Sequence, residues 1–340
     1  MLLSKDGSPM PIRSSAQELI EVVALMYCAS SSDSIKLVER LLGFPIPHRE
    51  YSAFYSSLNN NHNPLQVCIS YKGNTEHSRV VIDPVANLAL CALRFEKTKA
   101  ILESHLKQAD SDSLFQTWLW DSIEHWIPDN QTTDSQAKNK HARGYFWLGT
   151  DLQQKGTALY LTPRWIASAQ QWDHASRWLN YFGIDASDMI NQLSHHARLA
   201  SIALEGRAAN TGKIKIYWRL DSKFNLLNQP HALFQDDQIK LFLVESIENN
   251  EISKNGLLFS TSWNLSTGQI EEVKIDLCGH CLNKTQAQWN NLIRRLSAIF
   301  SFKLPNTKPY FDTGADIAFI SFALDINLRN RFNLYWKPKG

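Results

Sequence analysis

The sequence predicts an α+β fold: a ten-stranded antiparallel β-barrel made of five hairpin-helix repeats and ringed by α-helices. Three observations lead there. An extended segment, a polar turn and a second extended segment recur five times along the chain. Amphipathic helical stripes separate the recurrences. The second strand of each hairpin carries polar residues on one face and apolar residues on the other.

The chain opens with two predicted amphipathic helices, Ala16 to Ala29 and Ser34 to Leu42, the second N-capped by Asp33 or a neighbouring serine. The first hairpin reads PLQVCISY, KGNTEHS, RVVIDP (64–84). Helices Ala86 to His105 and Ser113 to Trp126 follow it. The second reads GYFWLGT, DLQQKGT, ALYLTP (144–163), and helices Ile166 to Phe182 and Ala186 to Leu204 follow. The third takes the tail of that Ala/Leu-rich segment, turns over Gly206 to Gly212 and continues as KIKIYWRL (213–220); helix His231 to Ile247 comes next. The fourth reads GLLFSTSW, NLSTGQIE, EVKIDLCG (256–279), before helix Thr285 to Phe300, whose apolar stripe is Trp289, Leu292, Ile293, Leu296 and Phe300. The fifth, DIAFISFAL, DINLRNR, FNLYWKP, closes the series at 338. Lys-Gly-Asn, Lys-Gly-Thr and Ser-Thr-Gly are turn chemistry of the kind hairpins use. The expected organisation is one domain over 1–340, with N-terminal helices in 1–50 and the five repeats in 64–338.

Side-chain alternation assigns the faces. Lys213, Lys215, Tyr217 and Arg219 share one face of their strand, and Ile214, Ile216 and Trp218 share the other. Tyr160, Lys274 with Asp276, Asn333 with Tyr335 and Lys337, and Arg79 oppose apolar residues in the same way. Helices must cover the apolar face, which leaves the polar face to the lumen of a closed barrel. An open α+β sheet with the same elements is the competing arrangement. Cations gathered inside a barrel call for an anion to neutralise them, and charge-assisted hydrogen bonds from Lys and Arg suit a diphosphate.

Composition excludes several classes. A net charge of +2 without a basic block argues against nucleic acid as a partner. No apolar run approaches a membrane span. Five scattered cysteines suit a reducing cytoplasm better than a disulfide framework, and Cys278-Gly-His-Cys281 is a lone CxxC read as two strand-end cysteines. There is no GxSxG, P-loop or dinucleotide fingerprint. Asp236-Asp237 lacks the further aspartate of a magnesium-dependent terpene site, and His195-His196, placed on a helix, reads as a surface pair.

KIKIYWR resembles the Arg/Lys-x-Lys-x-Tyr strand of the αββα-barrel (ABBA) aromatic prenyltransferases, in particular the indole prenyltransferases similar to dimethylallyltryptophan synthase, of compact bacterial type. SSLNNNHNPLQVCISYK with SRVVIDP resembles their first hairpin, and FISFALD with RFNLYWKP their last; the resemblance runs from Tyr51 onward. It implies that Arg79, Lys213, Lys215 and Lys274 bind a prenyl diphosphate. It also implies that Tyr160, Tyr217 and Tyr335 shield the allyl cation, and that the acceptor is an indole-containing small molecule. No cofactor is obligatory; Mg²⁺ can accompany the diphosphate without being required. The partners are then the prenyl diphosphate and the acceptor, with no nucleic acid or membrane, in a cytoplasmic monomer or weak homodimer.

The chain departs from the family where Gln66 replaces the usual acceptor-holding Glu of the first hairpin. An amide can hold an N–H but is not a useful base, so Glu205 and Asp276 become the candidate proton acceptors beside Gln66. Ala158 stands where a Lys is common, and Asp276 where a Tyr is common. An aromatic residue of a cyclic peptide as acceptor, or a barrel that binds its ligand without turnover, are the alternatives.

Overall fold

The computed structural model describes residues 15–26, 30–46, 56–73, 75–88, 91–127, 144–151, 156–220, 231–247, 256–303 and 315–339. Among the described residues there are ten strands: β1 (Leu65–Lys72), β2 (Thr75–Ile82), β3 (Phe146–Asp151), β4 (Thr157–Leu161), β5 (Ala197–Gly206), β6 (Lys213–Leu220), β7 (Leu257–Asn264), β8 (Ile270–Cys278), β9 (Ala315–Asp325) and β10 (Asn330–Pro338). They close into a barrel in the order β1-β10-β9-β8-β7-β6-β5-β4-β3-β2. Every neighbouring pair is antiparallel. Consecutive strands run antiparallel around the ring, so β1, β3, β5, β7 and β9 all end, and β2, β4, β6, β8 and β10 all begin, at one end of the barrel, the hairpin-turn end.

Alternation sets the two faces as the sequence predicts. Ile214, Ile216 and Trp218 are fully buried in the core beneath the helices, with Val273, Ile275 and Leu277, and with Phe332, Leu334 and Trp336. Each such aliphatic or aromatic side chain contributes roughly 2 to 3 kcal/mol by leaving water. The core is thus a shell between barrel and helices, and the polar face is left to the lumen. Three bulges, at Leu199/Ser201, Ser262/Trp263 and Tyr335/Trp336, locally break the alternation.

The helices are α1 (Ser15–Met26), α2 (Ser31–Leu42), α3 (Cys91–Ala109), α4 (Ser113–Trp126), α5 (Gln171–Tyr181), α6 (Ser187–Ser194), α7 (Asp237–Ile247), α8 (Gly279–Leu282) and α9 (Gln286–Phe300). Ser30 caps α2 and Thr285 caps α9 in a capping box. Residues 27–29 of the first predicted helix, 89–90 of the third and 152–155 of the second turn lie outside the described residues. Two sequence expectations are corrected. The helix predicted over Ala186 to Leu204 stops at Ser194, because from Ala197 the chain pairs with β6, and from Ile202 with β4 as well. Ladder hydrogen bonds override the helix preference of its Ala and Leu residues there. His195 and His196 therefore sit in the turn between α6 and β5, not on a helix. Among the described residues no helix is long and apolar enough to cross a membrane.

The start of α8 is packed against β9 without room for a side chain. A Cβ added at Gly279 would lie 2.1 Å from the Ile317 carbonyl oxygen. Gly279→Ala is expected to cost at least about 2 kcal/mol, read as a lower denaturant midpoint with an unchanged slope.

Candidate active site

The lumen holds two layers. Toward the hairpin turns lies a charged cluster built from strands distant in sequence. Glu205 of β5 accepts at Oε1 from Arg79 Nη1 (2.8 Å) and from the Tyr160 hydroxyl (2.9 Å), and at Oε2 from Lys215 Nζ (2.8 Å). Arg79 also donates to the Tyr160 oxygen at 3.1 Å. Beside it Arg331 pairs with Glu272 and donates to Asn333 Oδ1. Toward the helix-bearing end, Lys274 Nζ donates to Asp276 Oδ1 at 2.8 Å and to the Tyr335 hydroxyl at 3.4 Å. The same ammonium lies 5.1 Å from the Tyr217 ring centroid and 5.5 Å from that of Tyr335. Tyr217 also faces Tyr160, 6.4 Å between centroids, and so joins the layers.

Above the charged cluster opens a cavity of about 420 Å³, within the range of small-ligand sites. Tyr160, Tyr217, Tyr335, Trp147 and Phe319 give it aromatic walls; Gln66, Lys274 and Asp276 give it polar groups. Ser57 and Leu58 border it at the barrel mouth, with Arg198 and Arg219. Gln66 is held by its own neighbourhood, donating to Asn59 Oδ1 at 2.7 Å and to the Leu58 carbonyl at 3.3 Å.

Electrostatics follow from the pairing. Burial alone would raise the Glu205 carboxyl, but Arg79 and Lys215, with hydrogen bonds from Lys215 and Tyr160, hold it well below the usual carboxylate range. Burial pushes Lys215 down to about 8, offset only in part by Glu205 and Glu272. Burial would likewise raise Glu272, yet Arg331 and Lys215 bring it to about 2. Burial keeps the phenols of Tyr160, Tyr217 and Tyr335 protonated far above neutrality.

Nine of the ten side chains singled out in the sequence meet in this lumen: Gln66, Arg79, Tyr160, Glu205, Lys215, Tyr217, Lys274, Asp276 and Tyr335. Lys213 stands apart, at the hairpin-turn rim, 44% exposed and paired with Glu271 at 2.7 Å. The lumenal cations, for which the sequence suggested a diphosphate as the neutralising anion, already have carboxylates of the chain beside them. Arg79, Lys215, Lys274 and Arg331 face Glu205, Glu272 and Asp276, four cations against three carboxylates. Three charged lumenal residues lie outside the sequence assignment: Arg331, in a stretch read as turn; Arg198, in the stretch read as helix; and Glu272. The alternation that marks Lys274 and Asp276 also marks Glu272.

No protein-family model and no curated protein sequence matches the chain. Solved structures do. 5-Dimethylallyltryptophan synthase from Streptomyces coelicolor superposes with a TM-score of 0.74 at 12% identity, over 96% of this chain and 98% of that one. 6-Dimethylallyltryptophan synthase from Micromonospora olivasterospora, in complex with DMASPP and Trp, gives 0.72 at 15% identity, over 96% and 97%. Prenyltransferase PriB gives 0.74 at 12%, over 94% of each chain. With the closed order of ten antiparallel strands, these superpositions establish that the chain has the αββα-barrel fold of the prenyltransferases.

Proposed function

We propose that the chain transfers a dimethylallyl or geranyl group from its diphosphate to an indole-containing small molecule by electrophilic aromatic substitution. The observation that carries this reading is the two-layer lumen. Half-buried Arg79 and buried Lys215 form the layer beneath tyrosine rings that already hold a cation, the Lys274 ammonium. Arg79, Lys215 and Arg331 take the diphosphate, and fixed cations stabilise it as its charge develops on leaving. Lys274 binds the diphosphate from above, while Lys213 acts at the rim. Tyr160, Tyr217 and Tyr335 shield the allyl cation in a water-poor cavity, since their π faces attract it and they are not themselves ionised. The acceptor ring stacks in the remaining volume, and Gln66 holds its N–H through the amide oxygen. The reading makes no demand on a metal, because lumenal side chains supply the positive charge. The likeness to structures described as dimethylallyltryptophan synthases, one of them in complex with DMASPP and Trp, supports the donor and acceptor classes. Action as one domain over the chain, in the cytoplasm, as a monomer or weak dimer, belongs to the same reading.

One observation favours a second reading. Glu205 and Glu272 already neutralise part of the charge a diphosphate would use, as in a barrel that binds its ligand without turnover. Incubation with dimethylallyl and geranyl diphosphates and a panel of indoles, phenols and cyclic peptides, with EDTA in parallel, separates the two by mass spectrometry. A prenyl mass gain that survives EDTA is expected. Donor binding without product from any acceptor supports the second reading, and an absence of donor binding defeats both.

A further inference from the structure

Resting on that reading, we propose that Asp276, on the β8 wall, is the proton acceptor of the transfer, in place of a base on β1. Three carboxylates belong to the lumenal charge cluster and the cavity, Glu205, Glu272 and Asp276, and they differ in what they hold. Both oxygens of Glu205 are occupied, by Arg79 and Tyr160 on one and Lys215 on the other. Both oxygens of Glu272 accept from Arg331. Each is held in its charged form, and each is a poor base. Asp276 is different. Its Oδ1 accepts from Lys274 and Ser321, whereas its Oδ2 has no hydrogen-bond donor although the residue is only 3% exposed. Of the three, Asp276 alone lines the cavity.

A buried carboxylate oxygen without a donor is costly. A ligand that brings an N–H, or a C–H about to be lost as a proton, relieves that cost. Gln66 cannot serve: both its amide donations are spent on Asn59 and Leu58, and an amide takes no proton at neutral pH. Lys274 fixes the Asp276 carboxylate from one side and leaves the other oxygen to act.

The C1–O bond of the donor breaks, and the diphosphate leaves with the electron pair. C1 bonds to a ring carbon of the acceptor. The C–H electrons at that carbon then return to the ring, and the proton passes to Asp276 Oδ2. On product release it is lost to solvent. Asp276 lies three strands from Gln66 around the ten-stranded wall. The ring carbon attacked is therefore the one turned toward β8, so the position of this base, as much as acceptor identity, sets the regiochemistry.

The test uses the whole chain, a substrate pair that the unaltered protein turns over, and the same acceptor deuterated at the attacked carbon. Asp276→Asn is expected to bind dimethylallyl thiolodiphosphate within about threefold of the unaltered protein. Its kcat should fall on the order of 100-fold or more, and a primary isotope effect on kcat should emerge where the unaltered protein shows none. A merely structural role would not produce that isotope effect. Unchanged kcat with no isotope effect overturns Asp276 as the base and leaves prenyl transfer standing. If Asp276→Asn does not fold, Asp276→Glu, which keeps the charge beside Lys274, decides. A changed product ratio with an isotope effect supports the assignment, and an unaltered ratio without one overturns it. No turnover by the unaltered protein with any pair removes the proposed function, and this inference with it.

Discussion

Lys215→Ala is expected to lower kcat/KM for the prenyl diphosphate by two to three orders of magnitude, measured by steady-state kinetics at saturating acceptor. Lys215 is nearly enclosed, and its ammonium is fixed at 2.8 Å from Glu205 beside Arg79. Fixed charge in such a site is worth far more than the same charge in water, typically about 3 to 4 kcal/mol at the transition state. The loss should fall mainly on kcat, because the diphosphate gains charge as it departs. A pH signature accompanies it. Lys215 sits near 8, below its ordinary value, because burial penalises the charged form. It is charged below that pH and neutral above it, so kcat/KM for the donor should fall as pH rises through about 8. Lys215→Arg, which stays charged, should move that limb out of range. Equal kinetics for Lys215→Ala and the unaltered protein would remove the charged layer from the mechanism.

Glu205→Gln is the complementary case, with effects of opposite sign on stability and on anion affinity. Glu205 occupies the point where Arg79 and Lys215 converge, which is where an anion would bind. Removing its charge leaves buried Lys215 without its carboxylate, a change that costs about 3 kcal/mol in buried pairs. Arg79 keeps 35% of its side chain exposed, so solvent screens its share. The melting temperature should drop by roughly 5 °C or more. Inorganic diphosphate should then bind the variant about tenfold more tightly than the unaltered protein and restore the lost stability. Calorimetry in the presence and absence of diphosphate reads both effects. A variant that is destabilised but gains no affinity would mean that Glu205 is structural and that the anion binds elsewhere.

The lumenal layout was legible in the sequence wherever strands alternate cleanly. KIKIYWRL gives up its two faces on sight, and Lys215, Tyr217, Lys274, Asp276 and Tyr335 follow from the same parity. β5 was not legible. Its Ala and Leu residues favour a helix, and the bulge at Leu199/Ser201 interrupts the alternation that would have marked it. Arg198 was lost with it. The ion pairs were illegible for a different reason. Arg79 on β2 and Glu205 on β5 are three strands apart around the wall, and they meet only across the closed lumen. A face assignment can list which charges share a lumen, but which ones pair depends on barrel closure and rotamers.

That closure also governs how the protein is made. Residues 67–71 of β1 pair with 332–336 of β10, so the last strand synthesised completes the ring. Until β10 leaves the ribosome, β1 and β9 each present an unpaired edge, and the lumenal charges lack the wall that pairs them. Such long-range pairing makes folding slow, and exposed edges invite association with other chains. A nascent chain stalled before residue 330 should therefore depend on chaperones far more than the finished barrel, which has no edge left to offer.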